Sequence, residues 1–414
     1  MTEEIQKRIE AIKAGKTPDG YKKAVVGIVP SEWQEKRLSD LLKFQNGVNA
    51  EKEKFNSGIK MISVMDILDE RPIVYDAIRG QVDIDEKALN NYSVTYGDIL
   101  FQRSSETVED AGKSNVYLDG ERTATYSGFV IRGKKIADYD PVYLNELLKT
   151  TGVRQQIIKY AAGSQHINVS QDSLARVRVC LASEEEQKRI EKILLKWNKA
   201  IELQENLIEK LELQKRALMQ SLLIPKCGWK KVKIGTLTKE LSVRNYQNKC
   251  NNVKSVSNKD GFIDQEEQFS KRVASLDTSN YKRVTTGNIA YNPSRINVGS
   301  IAVYEDKEDG IVSPMYVVLE CERINPHLLL LLLNSAKTQY DIKSYLAGSV
   351  RDSLNYSDLE KIEIFIPSED EQSGLVNFFG KYELLCTTEK NKLKFLRRQQ
   401  KAVRQLLLTG IVRV

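Results

Sequence analysis

A chain of 414 residues with 41% hydrophobic and 29% charged side chains is too long for one ordinary core and too apolar to be disordered. Two to three soluble domains are expected, and a net charge of +7 leans mildly towards a polyanionic partner. Five scattered cysteines without a Cys-x-x-Cys pair, and only two histidines (His166 and His327), argue against a disulfide framework and a His/Cys zinc site.

Met1-Thr-Glu-Glu-Ile-Gln-Lys lacks the apolar core of a signal peptide, so a cytoplasmic protein is expected. Ile5, Ile9 and Ile12 predict a short amphipathic helix over 2–14, and Lys16-Thr-Pro-Asp-Gly20 closes this first segment, residues 1–20. Residues 21–182 read as a mixed α/β domain. Short β-branched runs such as Lys60-Met-Ile-Ser-Val64 and Asp98-Ile-Leu-Phe101 alternate there with Gly and Asp turns. Residues 183–224 read as a long helix, free of Gly and Pro as far as 223 and extending roughly 60 Å. Ile224-Pro-Lys-Cys-Gly-Trp229 breaks it and opens a second mixed domain, 225–367. Its leucine run, Leu328 to Leu333, is too short to span a bilayer and predicts a buried helix. A second long helix with a tail fills 368–414.

The second half repeats the first. Tyr160-Ala-Ala-Gly-Ser returns as Tyr345-Leu-Ala-Gly-Ser, Ser183-Glu-Glu-Glu-Gln187 as Ser368-Glu-Asp-Glu-Gln372, and Gln214-Lys-Arg-Ala as Gln399-Gln-Lys-Ala. The shift is 185 in each case. Upstream it lengthens: Gly97-Asp-Ile-Leu-Phe101 aligns with Gly287-Asn-Ile-Ala-Tyr291, and Trp33 with Trp229. Framework is kept while loops diverge. An internal near-two-fold axis follows, and with it a target or partner set that is itself doubled.

The long helices carry a seam with spacings of four and three. Ile190, Leu194, Trp197, Ile201, Ile208, Leu211, Leu218 and Leu222 occupy it in the first, interrupted by Gln204 and Lys215. Leu375, Phe379, Tyr382, Cys386, Leu393, Leu396, Val403 and Leu407 occupy it in the second, interrupted in the same slots by Glu389 and Gln400. This is a coiled-coil pattern with polar residues that fix register. Packing of each helix on its own domain is the plainer alternative, but two long matched helices are natural partners for each other. Gly374, Gly380 and Thr387-Thr388 predict a kinked or weaker second helix.

No catalytic constellation stands out. Gly15-Lys-Thr17 and Gly112-Lys-Ser114 lack the earlier glycine of a phosphate-binding loop, having Glu10 and Thr107 in its place. Tyr291-Asn-Pro-Ser294 is only a fragment of an adenine-methyltransferase motif. What the mixed regions offer is cations beside amides. Arg or Lys pairs with guanine, Asn or Gln with adenine, and cations also meet phosphates. The first region supplies Gln102, Arg103, Lys113 and Arg122. The second supplies Arg244, Asn245, Asn248, Lys249, Asn251, Arg272, Asn292 and Arg295. These are the candidate DNA-binding residues.

Taken together, the chain resembles the specificity subunit of type I restriction–modification systems along essentially its whole length. The resemblance rests on Val29-Pro-Ser-Glu-Trp-Gln-Glu-Lys-Arg-Leu38, on Gly97-Asp-Ile-Leu with its counterpart at Gly287, on Tyr281-Lys-Arg-Val through Tyr291-Asn-Pro-Ser-Arg-Ile-Asn-Val-Gly299 and on to Gly310-Ile-Val-Ser-Pro-Met-Tyr316, and on the Glu-Gln helix entries at Gln187 and Gln372. The usual proline before the helix entry is present as Pro367, but Ala182 replaces it in the first copy. The resemblance implies an α+β fold: two target-recognition domains alternating with two long helices that pair as an antiparallel coiled coil. It also implies a non-catalytic reader of double-stranded DNA that binds no cofactor itself. Partner subunits would supply the chemistry: two methylation subunits using S-adenosylmethionine and up to two translocase–nuclease subunits using ATP and Mg. No membrane partner is implied. The rival readings are a coiled-coil interaction scaffold without sequence reading, and a nuclease or methyltransferase with a divergent site.

Overall fold

The computed structural model describes residues 3–163, 166–258, 261–264, 277–347 and 353–414. Internal contacts divide the chain into two units, residues 1–205 with 392–414 and residues 206–391. Each unit therefore holds one mixed domain and a stretch of both long helices.

Unit 1 is built on a four-stranded antiparallel sheet, in spatial order Leu42–Asn46, Val130–Lys135, Ile99–Gln102 and Ser114–Val116. Side chains alternate across a strand, and this sheet is covered on both faces, so apolar residues stand side by side in its central strands, as in Ile99-Leu-Phe101 and Val130-Ile131. Ile99, Phe101 and Ile131 enter one buried cluster, while Leu100 and Val130 enter the other. Unit 2 repeats the arrangement with Thr238–Leu241, Val317–Cys321, Ile289–Tyr291 and Ile301–Val303 in the same order. There Ile289, Tyr291 and Leu319 face one cluster, and Ala290, Val318 and Ala302 the other.

The helix behind each sheet starts in the same way. In unit 1, Asp140 caps Pro141–Leu148 by accepting from the Tyr143 N–H at 2.8 Å. In unit 2, Asn325 caps Pro326–Leu333 through the His327 N–H at 2.9 Å. A short polar acceptor at the cap followed by proline satisfies orphan donors and presets the first turn. The leucine run is this second helix, with Leu328, Leu329, Leu332 and Leu333 buried.

A two-stranded ribbon leads into each long helix: Gln34–Arg37 with Arg178–Leu181, and Lys230–Lys233 with Glu363–Ile366. The helices run Glu184–Leu222 and Glu369–Leu408, with three acidic residues in each first turn, where the dipole favours negative charge. The repeated Glu-Gln entry now has a physical meaning. Trp33 Nε1 donates to Glu186 and Trp229 Nε1 to Glu371, both at 3.1 Å. Gln187 Nε2 donates to the Ala182 carbonyl at 2.9 Å and Gln372 Nε2 to that of Pro367 at 3.0 Å. The glutamine needs only a carbonyl, which explains why alanine can replace the proline.

The two helices pair as an antiparallel coiled coil, and none of the twenty seam positions is exposed. In unit 1, Gln400 Nε2 donates to Asn198 Oδ1 at 2.5 Å, and Arg397 pairs with Glu205 at 2.6 Å. In unit 2, Lys215 pairs with Glu383, Tyr382 donates to Gln214 at 2.8 Å, and Lys390 pairs with Glu212 at 2.8 Å. As numbers rise along one helix they fall along the other. Lys215 and Gln400, polar interruptions of the seam, thus hold register across it. Each exposed ion pair contributes little stability by itself, of order 0.2–1 kcal/mol.

The second helix runs without interruption through Gly374, Gly380 and the threonine pair. Both glycines are exposed, and a methyl group at either would meet nothing. Gly374→Ala and Gly380→Ala are therefore each expected to stabilise the chain by about 1 kcal/mol. Chemical denaturation of each variant checks this; a midpoint at or below that of the parent contradicts it.

Candidate nucleic-acid interface

The sheet topology decides which loops meet. In unit 1, Leu42–Asn46 and Ile99–Gln102 both run antiparallel to Val130–Lys135, with Asn46 opposite Ile131 and Gln102 opposite Val130. Their C-terminal ends therefore gather beside the turn that precedes Val130. Asn46, Arg103 and the Gly128-Phe129 turn come together there, and Phe129 is 68% exposed. A cleft of about 670 Å³ opens beside Arg103, lined by Asn46, Tyr160, Asn168, Gln171 and Asp172 among others.

Unit 2 presents the same end of its sheet, since Leu241 and Tyr291 pair with Val318 and Val317. The loop after Leu241, the Asn292–Arg295 stretch and the exposed Met315 cluster there. Gln247 and Asn248 adopt left-handed backbone, φ 65° and 51°. Asparagine accepts that conformation easily and glutamine less so, which requires support from neighbours. Asn245 provides it: its amide donates to the Cys250 carbonyl at 2.8 Å and accepts from the Cys250 N–H at 2.9 Å. Asn248 Oδ1 accepts from the Thr278 N–H and hydroxyl, both at 3.0 Å. So bracketed, the turn leaves Tyr246, Gln247 and Lys249 in solvent.

The candidate residues thus separate into presented and enclosed side chains. Arg103, Lys249, Asn251 and Arg295 lie at or near the gathered loops and are exposed or half-buried. Lys113 is exposed but paired with Asp110 at 2.6 Å. Arg244 is half-buried and donates to the Asn280 carbonyl at 2.6 Å. Gln102, Asn245 and Asn292 are buried: Gln102 donates to the Ser104 carbonyl, and Asn292 accepts from the Ser294 N–H. These three side chains hold loops from inside. Arg272 lies outside the described residues. The Asn46, Phe129, Tyr160, Asn168, Gln171, Tyr246 and Met315 side chains were not among the sequence candidates. Only an aromatic following a glycine (Phe129) and a Tyr-Gln pair between asparagines carried any signal.

Arg122 is the candidate most fully engaged within the chain. Its guanidinium grips Asp76 at 2.6 and 2.9 Å and Asp119 at 2.9 Å, and lies over the Tyr75 ring at 4.6 Å. Hydrogen bonds from Arg122 hold both carboxyls below their ordinary range, with its backbone N–H the leading cause at Asp119. A fork spent on two carboxylates has little left for a base or phosphate. Arg122→Ala is expected to lower the melting temperature while leaving the salt slope of DNA binding unchanged. A slope reduced by about one charge would instead make it a phosphate contact.

Residues 30–213 match the model of the type I restriction modification DNA specificity domain. Over 96% of its length the chain is also 24% identical to a putative type I restriction enzyme MjaX specificity subunit from Methanocaldococcus jannaschii, covering 97% of that protein. The chain is thus similar to type I specificity proteins, through a specificity domain in its first half and a distant likeness along nearly its whole length. Two solved structures share its fold. The S subunit of a type I restriction–modification system from M. genitalium aligns at 14% identity with a TM-score of 0.52, covering 91% of this chain and 96% of that one. A chain from work on complex assembly and conformational transition of the type I R-M system aligns at 13% identity with a TM-score of 0.56, covering 93% and 99%. The specificity-domain match ends inside the first long helix, and the four-stranded sheet and helix-entry ribbon it covers recur in unit 2. Among the described residues, no helix is long and apolar enough to cross a membrane.

Proposed function

We propose that the chain is the sequence-reading subunit of a type I restriction–modification complex. Unit 1 reads one half of an asymmetric split target in double-stranded DNA, unit 2 reads the other, and the paired helices set the unread gap. The chain performs no covalent step. Two methylation subunits dock on the helices and use S-adenosylmethionine to modify adenine N6, and up to two translocase–nuclease subunits use ATP and Mg to cut unmodified DNA.

One observation carries this reading. The two units keep the same sheet, caps and helix entries yet place different residues at the same sheet end: Asn46, Arg103 and Phe129 in one, and Tyr246, Gln247, Lys249, Arg295 and Met315 in the other. A frame kept in duplicate with unlike contents supports two readers of unlike sequences. Cations, amides and exposed apolar groups are also the chemistry that base edges and phosphates require.

The test is co-expression with the methylation partner and genome-wide mapping of N6-methyladenine. A split motif with a fixed gap that appears only with this chain is expected. A stable complex with an active methyltransferase but no new motif would instead favour a scaffold without sequence reading.

A further inference from the structure

Resting on that proposed function, we infer that the cleft beside Arg103 is the base-reading slot of unit 1, and that Arg103 sets the base preferred at one position of its half-site. The backbone of Arg103 is pinned from both sides. Its N–H donates to the Phe129 carbonyl at 3.0 Å, and its own carbonyl accepts from the Val169 N–H at 2.9 Å. Among the described residues its guanidinium makes a single bond, to the Gly128 carbonyl at 3.2 Å. Among the described residues it joins no ion pair, so most of its five donors remain available to a ligand. Arg154 and Arg132 of the same unit are already committed. Arg154 donates to the carbonyls of Glu109, Ala111 and Gly112, and Arg132 to those of Ser93 and Gln45.

The surroundings suit the edge of a base pair. Asn46 and Gln171 bring amides that both donate and accept, and Asp172 brings an acceptor for a cytosine amine. Asn168 is held in place by the Ser104 hydroxyl at 2.5 Å and by the His166 carbonyl at 3.2 Å, which fixes the direction of its amide. Phe129 projects beside this polar set with two thirds of its surface in water. A phenyl ring so placed adds little to a core. It fits a thymine methyl or an opened base step.

Unit 2 supplies the decisive comparison. Leu354 donates its N–H to the Pro293 carbonyl at 3.0 Å, the same bond that Val169 makes to Arg103. Pro293 therefore stands in the place of Arg103. By the 185-residue shift, Ser353 and Tyr356 stand for Asn168 and Gln171, and the Tyr356 hydroxyl turns inward to the Thr238 carbonyl at 2.7 Å. The frame bond is kept while the polar set exists in one unit only. A side chain needed by the frame would be needed twice; these are not.

The experiment uses the full chain in complex with its methylation partner and sequences N6-methyladenine for the parent, Arg103→Gln, Arg103→Lys and Phe129→Ala, with a melting curve for each. Arg103→Gln is expected to change or relax the base at one position of one half-site, and to slow modification of the parental target roughly ten- to hundred-fold. The other half-site and the gap stay as they were. Arg103→Lys keeps the charge but not the fork, so it retains the salt slope without restoring base preference. Modification within twofold of the parent in both Arg103→Gln and Phe129→Ala overturns the inference. Changes in both half-sites also overturn it, because the residue would then act through the frame. Should Arg103→Gln fail to fold, Phe129→Ala decides, since its ring is exposed. A parent chain that yields no split motif defeats the proposed function itself, not this slot alone.

Discussion

Trp33→Ala is expected to destabilise unit 1 by about 3–5 kcal/mol, the range for emptying a fully buried tryptophan site. Trp33 is 1% exposed and lies in the core cluster that also takes Leu407 and Leu408 from the end of the second long helix. Its Nε1 donates to Glu186, a buried carboxylate that Arg413 grips at 2.6 and 2.9 Å. Arg413 in turn reaches Glu32 beside Trp33 at 2.6 Å. Losing the indole therefore opens a cavity and leaves a buried carboxylate short of one donor. That is a large fraction of the ~5–15 kcal/mol that holds a domain together. Trp33→Phe keeps most of the apolar volume and should cost only about 1–2 kcal/mol. Hydrogen exchange localises the effect: peptides spanning 33–46 and 403–414 should lose protection, while those spanning 289–303 in unit 2 keep it. Equal loss in both places, or a denaturation midpoint near the parent's, would contradict the assignment.

The second large effect concerns the coil. Seven residues inserted after Glu205 alone should wreck pairing, because Glu212 would sit about 10 Å from Lys390. A matched pair of insertions, after Glu205 and after Lys394, preserves both Glu205–Arg397 and Glu212–Lys390 while lengthening the coil by the same amount. On the proposed function, the gap in the recognised motif then grows by about three base pairs. Three base pairs also turn the duplex by roughly 100°, since a full turn takes about 10–10.5. The sharper readout is thus the original spacing, where methylation should fall at least tenfold. Undiminished methylation at that spacing, from a doubly extended chain that melts normally, would show that the coil does not measure the gap.

The parts legible in the sequence were those governed by short-range periodicity. The seam follows the 3.5-residue repeat of a paired helix, and all its positions, Ile190 to Leu407, are covered. The Trp and Gln of each repeat pointed to a common helix entry, which the Trp33–Glu186 and Trp229–Glu371 bonds now explain. Reading residues were harder to find because a polar side chain in a loop has two uses. Asn245 and Lys249 are four positions apart in one polar run, yet the first is buried as a bracket and the second exposed. Arg122 and Arg103 differ likewise, and what separates them is the distant Asp76, which no local pattern reveals. The meeting of Asn46, Arg103 and Phe129 depends on strand register, which joins segments 26 to 83 residues apart.

The flanks of the coil also bear on how the two halves recognise each other. Shifted by 185, Glu205 becomes Lys390 and Glu212 becomes Arg397, so the pairs Glu205–Arg397 and Glu212–Lys390 are the same contact seen from opposite ends. One repeat carries both acids and the other both bases. Were either repeat to pair with a copy of itself, these positions would bring acid to acid or base to base. Each contact discriminates by only a few tenths of a kcal/mol, but all act in the same direction. The duplicated arms have become left and right hands that clasp each other in preference to their own kind, which guards the fused molecule against mispairing with its neighbours during assembly.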